Sequence, residues 1–271
     1  MQIMMQITGL SRKEVEEIAS KEIKDMGLES FFQQQSPNAK SSNAKSSNAK
    51  SSKNTSKPNY DEENYPHYLP AKKVQKYTIR VSLRGISPVI WRKFECPSNI
   101  TLRHLTEYIL SVMDWMGYHL NHIAVGDVFY EPYYQRDAGM EDMGWTEHRN
   151  QEDYTIADIL NEKGKTVRFE YDFGDSWEHD IRLSAIDEYK KGEPREIVFK
   201  SGKRACPPED CGGIWGYQNL LKIYEKKVSG KRLTKEERGH LEWYQMMDDD
   251  FDPDYFDIDE TKSFTEDFNV E

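Results

Sequence analysis

Apolar and polar residues alternate in two runs, residues 167–173 and 177–183, which constrain the fold more than any other part of the chain. A period of two is the pattern of a β-strand with one buried face, so the runs predict two strands. Gly174 lies between them and predicts a turn. His179 falls on the apolar face of the second run, and we therefore expect its imidazole in the core.

Similar patterns predict an antiparallel hairpin on either side of residues 85–88 and a second one at Gly126-Asp127, a two-residue connection that suits a tight turn. Residues 131–152 predict a long polar and aromatic loop. Helices are expected near residues 217–226 and after Thr101, Thr155 and Thr234. Hairpins with packed helices favour an α+β, roll-like fold rather than a doubly wound parallel sheet.

The chain divides into four predicted parts. A short strand or helix element occupies residues 1–35, and residues 36–76 contain the unit Asn-Ala-Lys-Ser-Ser three times in tandem. The repeat has no apolar side chain larger than alanine, so burial cannot offset its ordering entropy and we expect a disordered linker. Its lysines suit a soluble spacer or a weak phosphate-binding arm. Residues 77–247 form the expected domain, and residues 248–271 an acidic tail.

The negative charge is concentrated in that tail. Residues 248–271 hold eleven acidic residues and one lysine, so they account for −10 of the formal net charge of −11. The rest of the chain is close to neutral, which neither supports nor excludes binding to nucleic acid. The tail lacks the glycine and the terminal glutamate of a calcium-binding EF-hand loop. We instead expect Phe251, Tyr255 and Phe256 to anchor it on the domain.

The three cysteines are an odd number, which does not suggest a secreted disulfide framework. The N-terminus lacks the basic region of a signal peptide, and no stretch has the length of an apolar membrane span. We therefore expect reduced thiols in a soluble, cytoplasmic protein without a membrane partner. The chain contains no phosphate loop, dinucleotide fingerprint or zincin motif.

The turn between the two alternating runs holds the densest group of reactive side chains. Asp172, Asp175 and His179, together with Glu209 from a later segment, could act as metal ligands or as a general base. A structural interpretation is also open, because the spacing matches no metal motif. In it, Asp175 closes the turn through backbone amides, Trp177 fills the core, and His179 pairs with a carboxylate or a carbonyl. Pairing with either aspartate would raise the pKa of His179.

A second segment, residues 206–213, contains Cys206 and Cys211. Their thiolates could bind zinc if His179 or His119 completed the site, although the segment supplies only two of the four ligands. Its prolines and glycines equally fit a rigid loop that leads into a helix. No cofactor is predicted from these motifs, and a divalent metal is the alternative.

Five motifs follow one another along the chain: residues 83–92 (Leu-Arg-Gly-Ile-Ser-Pro-Val-Ile-Trp-Arg), His119-Leu120, residues 171–179 (Tyr-Asp-Phe-Gly-Asp-Ser-Trp-Glu-His), residues 206–213 (Cys-Pro-Pro-Glu-Asp-Cys-Gly-Gly) and residues 251–253 (Phe-Asp-Pro). In this order they closely resemble the plasmid pRiA4b ORF-3-like family, over a region from about Tyr77 to Phe256. The resemblance implies an α+β roll-like domain encoded by plasmids and mobile elements, and no established reaction.

The resemblance singles out motif or binding candidates: Trp91, Arg92, His119, Trp177, Cys206, Asp210 and Cys211. The chain departs from the family at one place. Where His-Leu-His is usual, it reads His119-Leu120-Asn121, with His122 one position later. If that pair of histidines served as ligands, Asn121 would weaken the site.

These features predict a binding or accessory module of a mobile element, which acts through an unidentified protein or nucleic-acid partner. Its core or groove aromatics would be Trp91, Trp177, Tyr217 and Trp243. The alternative is a metal-assisted hydrolase, acting on nucleic acid, whose ligands or base are Asp172, Asp175, His179 and Glu209. Convergence of the two acidic motifs in one cleft would favour the hydrolase.

Overall fold

The structure is a computed structural model, and it describes residues 64–137, 147–247, 252–265 and 268. All of these residues belong to the second of the two units into which the chain divides, residues 60–271. The predicted N-terminal element and the repeats of the linker lie outside the described residues, so the predictions made for them stay predictions.

Eight strands lie in the described residues: β1 (Gln75–Leu83), β2 (Trp91–Pro97), β3 (Asn121–Val125), β4 (Val128–Glu131), β5 (Glu147–Asn150), β6 (Thr166–Tyr171), β7 (Trp177–Glu188) and β8 (Val198–Lys203). They form one sheet in the order β5-β4-β3-β6-β7-β1-β2-β8. Every neighbouring pair is antiparallel except β4 and β5, which are parallel. With its packed helices, this sheet confirms the α+β fold class.

The same residues contain six α-helices: α1 (Leu102–Val112), α2 (Tyr133–Asp137), α3 (Ile156–Ile159), α4 (Gly213–Val228), α5 (Lys235–Trp243) and α6 (Ile258–Thr265). The expected caps are present, because Thr101 accepts a hydrogen bond from the His104 amide and Thr234 forms a capping box with Glu237. None of the helices described combines the length and the apolar character needed to cross a membrane.

The central strands bury one face of the sheet. On β7, the side chains that share a face from Trp177 to Leu183 are buried, and the residues between them are exposed or half-buried. Helix α1 joins this core, where its Tyr108 meets Phe94 of β2 edge-on with ring centroids 4.8 Å apart. Burial of each large apolar side chain contributes about 2 kcal/mol. The alternation in the sequence therefore identified the inner face of the sheet.

The outer face carries exposed ion pairs. Arg84 lies 3.2 Å from both Glu178 and Asp180, and Arg168 lies 2.9 Å from Glu178. Each such pair contributes at most about 1 kcal/mol. The apolar inner face, and not these charges, holds the strands in register.

The predicted loop at residues 131–152 contains α2 and β5, with residues 138–146 outside the described part. Strand β5 is short, polar and at the sheet edge, so it has no alternation of apolar residues to reveal it. Polar contacts hold this region: His148 Nδ1 lies 3.0 Å from Glu131 Oε2, and the Tyr133 amide donates to the Glu152 carboxylate at 3.1 Å. Such contacts depend on tertiary structure.

The acidic tail contains α6, which the sequence pattern did not predict. Thr261 and Thr265 of this helix are buried. Phe256 lies under the Arg92 guanidinium, 3.8 Å from it, whereas Tyr255 is exposed. Of the three expected aromatic anchors, Phe256 packs on the domain, Tyr255 does not, and Phe251 lies outside the described residues.

Arg92 is the most highly connected buried cation among the described residues. Its Nε donates to the Val112 carbonyl at 2.8 Å, and Nη1 donates to the carbonyls of Trp91 and Lys203 at 3.0 and 3.2 Å. Its Nη2 lies 3.1 Å from Cys206 Sγ. Burial lowers the pKa of Arg92 below its ordinary value. One planar guanidinium thus joins β2, the end of α1, β8 and the Cys206 segment.

We expect Arg92→Lys to destabilise the domain by about 2–4 kcal/mol. A lysine ammonium cannot donate the several hydrogen bonds of the planar guanidinium, so buried carbonyls are left without a donor. Urea unfolding followed by far-UV circular dichroism measures this change. Arg80→Lys is the matched control: Arg80 stacks on Trp91 at 4.4 Å on half-buried surface, and we expect a loss below about 1 kcal/mol. Equal losses in the two variants would contradict the central role of Arg92.

Candidate functional site

The two signature segments of the sequence lie against each other. Asp175 Oδ2 accepts a hydrogen bond from the Gly212 amide at 3.0 Å. Gly213 has a φ of +64°, and a Cβ at this position would lie 2.4 Å from the Asp175 carbonyl oxygen. The glycines of the second segment therefore permit its close approach to the turn of the first.

Asp172, rather than Asp175, closes the turn after β6. Asp172 has the left-handed φ of 58°, and its Oδ1 accepts from the amides of Gly174 at 2.9 Å and Asp175 at 3.3 Å. The prediction that Asp175 would close the turn is wrong, because the Asp175 carboxylate bonds the other segment. Asp172 is buried, and its Oδ2 faces His119.

His119 brings three segments together. Its Nε2 lies 3.1 Å from Asp210 Oδ1 and 3.6 Å from Asp172 Oδ2. The hydroxyl of Tyr118 donates to Asp210 Oδ2 at 2.5 Å, and burial together with this bond raises the pKa of Tyr118. The residues that could hold a metal are therefore His119, Asp172 and Asp210, whose donor atoms lie within 4.8 Å of one another.

Glu209 lies next to this cluster but is occupied by protein donors. Its Oε1 accepts from the Tyr171 hydroxyl at 2.5 Å, and its Oε2 accepts from the Met116 amide at 2.9 Å. Burial and the bond to Glu209 raise the pKa of Tyr171. The Trp115 indole donates a hydrogen bond to the Pro207 carbonyl at 2.8 Å. This bond ties the same loop to the end of α1. Glu209 thus positions the loop that carries Asp210.

His179 is fully buried, and its polar interactions are with backbone groups of Phe169 and Trp177 rather than with a nearby aspartate. The rings of Trp115 and Phe169 pack against it, each with its centroid 5.3 Å away. Burial lowers the pKa of His179 to about 4, and nearby backbone groups offset this only in part. Its predicted place in the core is confirmed. The predicted pairing with Asp172 or Asp175 and the raised pKa are wrong, because β7 directs the ring into the core.

The two cysteines do not meet a histidine ligand. Cys206 Sγ contacts Arg92 and lies 3.3 Å from Met113 Sδ, and Cys211 Sγ lies 3.9 Å from the Gly213 carbonyl oxygen. Burial raises the pKa of Cys206 to about 11 and that of Cys211 to about 12. Among the described residues, the hypothetical zinc ligands Cys206, Cys211 and His179 do not assemble.

His122 lies outside the cluster around His119. Its ring stacks on Phe129 with centroids 4.4 Å apart, and its Nε2 lies 3.6 Å from Glu170. Asn121 points to the other face of β3, where its Oδ1 accepts from Gln151 Nε2 at 3.1 Å. Asn121, which stands where the resemblance led us to expect a histidine, therefore forms a buried amide pair with Gln151.

The four aromatic residues expected in the core or in a groove differ in burial. Trp177 and Tyr217 are buried as expected, and Trp91 is half-buried under Arg80. Trp243 does not lie in the core, because its side chain is 79% exposed. Its role as a groove aromatic stays a prediction.

Large apolar side chains are exposed on the segments that carry or contact the cluster. We name them the Asp210 rim: Met116 (60% exposed), Tyr118 (57%), Leu120 (40%), Trp215 (82%) and Trp243 (79%). Leu120 accepts from the Asp172 amide, and Trp243 precedes Tyr244, whose hydroxyl donates to the Asp210 carbonyl at 2.8 Å. Trp215 lies in the first turn of α4, directly after the second segment. The sequence singled out Trp243 as a core or groove aromatic and Leu120 as part of a motif. It marked none of the other three, because exposure is decided by packing.

Gly213→Ala should destabilise the domain by about 3 kcal/mol, since a left-handed alanine costs about 1–2 kcal/mol and the clash with backbone of Asp175 adds to it. Gly192→Ala is the control, because Gly192 also has a positive φ, +81°, but nothing within 4 Å of a new Cβ. Thermal unfolding of the two variants measures the difference. Similar melting temperatures would show that the two segments do not pack as described.

His179→Leu should make the free energy of unfolding depend less on pH between about pH 4 and about pH 6.5. The buried imidazole takes up a proton only near pH 4, whereas the unfolded chain does so near the ordinary pKa of about 6.5. The unfolded state therefore binds more protons than the folded state in this window. As the pH falls through it, protonation of this group lowers the free energy of unfolding of the wild type by about 1.4 kcal/mol per pH unit. Urea unfolding across the window measures the slope.

The exposed His240 provides the control, and His240→Leu should keep the wild-type slope. His104, whose pKa burial lowers to about 3, contributes its own slope equally in all three proteins. Identical slopes for wild type and His179→Leu would contradict a neutral His179.

Comparison with known proteins agrees with this architecture. The family model described as plasmid pRiA4b ORF-3-like protein matches residues 75–260. Uncharacterized protein y4hQ of Sinorhizobium fredii is 30% identical over 174 residues, which are 64% of this chain and 82% of that protein. The crystal structure of MM3350 from Methanosarcina mazei Go1, described as a protein of unknown function, matches with a TM-score of 0.56 at 30% identity, covering 69% of this chain and 97% of the other.

The matched region contains the sheet, both signature segments and the cluster around His119. The resemblance inferred from the motifs is thereby confirmed. The chain belongs to the plasmid pRiA4b ORF-3-like family.

Proposed function

We propose that this domain is a binding module that captures a basic, partly apolar segment of a partner protein on the Asp210 rim. The observation that carries the proposal is the exposure of Trp215 and Trp243, at 82% and 79%. Trp215 follows the acidic loop in the chain, and Trp243 precedes Tyr244, whose hydroxyl donates to the Asp210 carbonyl. Tryptophan is among the residues that contribute most to protein interfaces, and exposed apolar groups in one area mark interaction sites.

The local charge favours a basic partner. The Asp210 side chain is 57% exposed, and Glu209 and Asp175 lie in the same two segments. Arginine and lysine side chains of a partner could pair with the exposed Asp210 carboxylate and stack on the indole rings, while Glu209 and Asp175 add negative charge nearby. The same carboxylates repel phosphate, so the surface favours a protein over a nucleic acid.

The two acidic motifs do meet, at Asp172 and Asp210, but the four residues proposed for hydrolysis do not form one site, which favours the binding role. Of the four residues proposed for hydrolysis, Asp172 alone belongs to the His119 cluster. His179 is enclosed in the core, Asp175 bonds the Gly212 amide, and Glu209 is held by Tyr171. A base or ligand must reach the substrate, and a fully buried histidine does not.

The proposal places the module in the cytoplasm of a cell that carries plasmids or mobile elements. Its support is the family, whose name refers to a plasmid, and three free cysteines, Cys96, Cys206 and Cys211. The partner would be a protein encoded by the element or by its host.

Fluorescence anisotropy with labelled peptides tests the proposal. We expect the full chain to bind a short peptide of alternating Arg and Leu more tightly than a matched peptide of Glu and Leu or single-stranded DNA. Trp215→Ala and Trp243→Ala should each weaken binding about tenfold or more. Val228→Ala, which removes an exposed apolar side chain at the far end of α4, should leave it unchanged.

Two results would overturn the proposal. One is equal affinity for the basic and acidic peptides, which would remove the charge argument. The other is tighter binding to single-stranded DNA that persists in Trp215→Ala, which would assign a nucleic-acid partner to a different surface.

A further inference from the structure

We propose that His119, Asp172 and Asp210 bind a divalent cation. The three residues come from separate parts of the chain: the connection from α1 to β3, the end of β6, and the loop before α4. Within the part of the chain that the structure describes, this is the one group of three or more His, Cys, Asp or Glu side chains whose donor atoms lie within 4.8 Å of one another. The inference does not depend on the proposed partner.

Each carboxylate uses one oxygen for the protein and turns the other toward the histidine. Asp172 Oδ1 accepts from the amides of Gly174 and Asp175, while Oδ2 lies 3.6 Å from His119 Nε2. Asp210 Oδ2 accepts from the Tyr118 hydroxyl, while Oδ1 lies 3.1 Å from the same nitrogen. Hydrogen bonds to the outer oxygen are how proteins orient carboxylate ligands of metals.

The histidine nitrogen at the centre has no hydrogen bond. His119 Nε2 is enclosed and has no hydrogen-bond partner among the described residues, because its short contact to Asp210 lacks hydrogen-bond geometry. A buried polar atom without a partner costs free energy. Asp172 is itself only 7% exposed, so its negative charge also lacks full solvation. A cation between these atoms would satisfy the nitrogen and both carboxylates together.

Two of the three donor–donor distances are close to the edges of a metal site, and the third, between the two carboxylates, is within 4.8 Å. Bonds of about 2.0–2.2 Å from zinc to nitrogen and oxygen place neighbouring tetrahedral ligands about 3.3–3.6 Å apart. The observed separations of 3.1 Å and 3.6 Å around His119 Nε2 lie close to that range. Small side-chain rotations would therefore suffice to bring the three donors onto one ion.

One imidazole and two carboxylates favour Zn²⁺ or Mn²⁺ over Ca²⁺, since calcium prefers oxygen ligands alone. Three protein ligands leave a fourth position open to water or to another ligand. That position faces solvent, because Asp210 is exposed. The assigned ligands differ from the zinc hypothesis based on Cys206 and Cys211, whose thiols lie elsewhere.

Calorimetric titration of chelator-treated full chain with Zn²⁺, and separately with Mn²⁺, tests the site. We expect one equivalent of at least one of these ions to bind and to raise the melting temperature. His119→Ala and Asp210→Asn should each weaken binding about tenfold or more. His148→Ala is the control: His148 also faces a carboxylate, Glu131, at 3.0 Å, but outside the cluster, and its loss should leave the affinity unchanged.

The absorption spectrum of the Co²⁺-substituted wild type reports the ligand types and does not depend on whether a variant folds. Bands of nitrogen and oxygen ligation alone would support the site, whereas a thiolate charge-transfer band would assign the cysteines and overturn it. Absence of binding by the wild type, or equal losses in His148→Ala and His119→Ala, would also overturn it. Trp243→Ala should retain the metal, which separates failure of this site from failure of the proposed rim.

Discussion

The buried guanidinium of Arg92 is the interaction on which the rest of the domain depends. A buried cation is tolerated only where every donor finds an acceptor, and the acceptors here come from β2, the end of α1, β8 and the Cys206 segment. Phe256 of the tail covers the same group. The charge is therefore satisfied only when all of these elements are in place, so it couples their positions.

This coupling positions the loop that carries Asp210. The loop is further held by Trp115, which follows α1 and bonds Pro207, and by Tyr171 of β6, which bonds Glu209. These directional contacts, one buried and one partly buried, hold the loop where Asp210 lies 3.1 Å from His119. An acidic cluster held in a fixed position next to exposed apolar side chains can bind a cation and a partner segment at adjacent positions.

Several elements follow from the sequence alone. The alternating runs on either side of Gly174 correctly predicted β6, β7 and the burial of His179. The hairpin at Gly126-Asp127 and the helix cap at Thr234 also lie at their predicted positions. Strand β5 and helix α6 were missed, because neither has an apolar period of its own and both are held by contacts from distant residues.

The sequence by itself determined the α+β class, the family and the segments in which reactive groups are concentrated, because local periodicity and motif order need no long-range contact. Only the tertiary structure decided which of those groups meet. It placed His179 among Trp115 and Phe169, and it brought His119 to Asp172 and Asp210 across large sequence separations. The physical reason is that a side chain's partners depend on the packing of whole elements, whereas the sequence pattern specifies only the face of its own element.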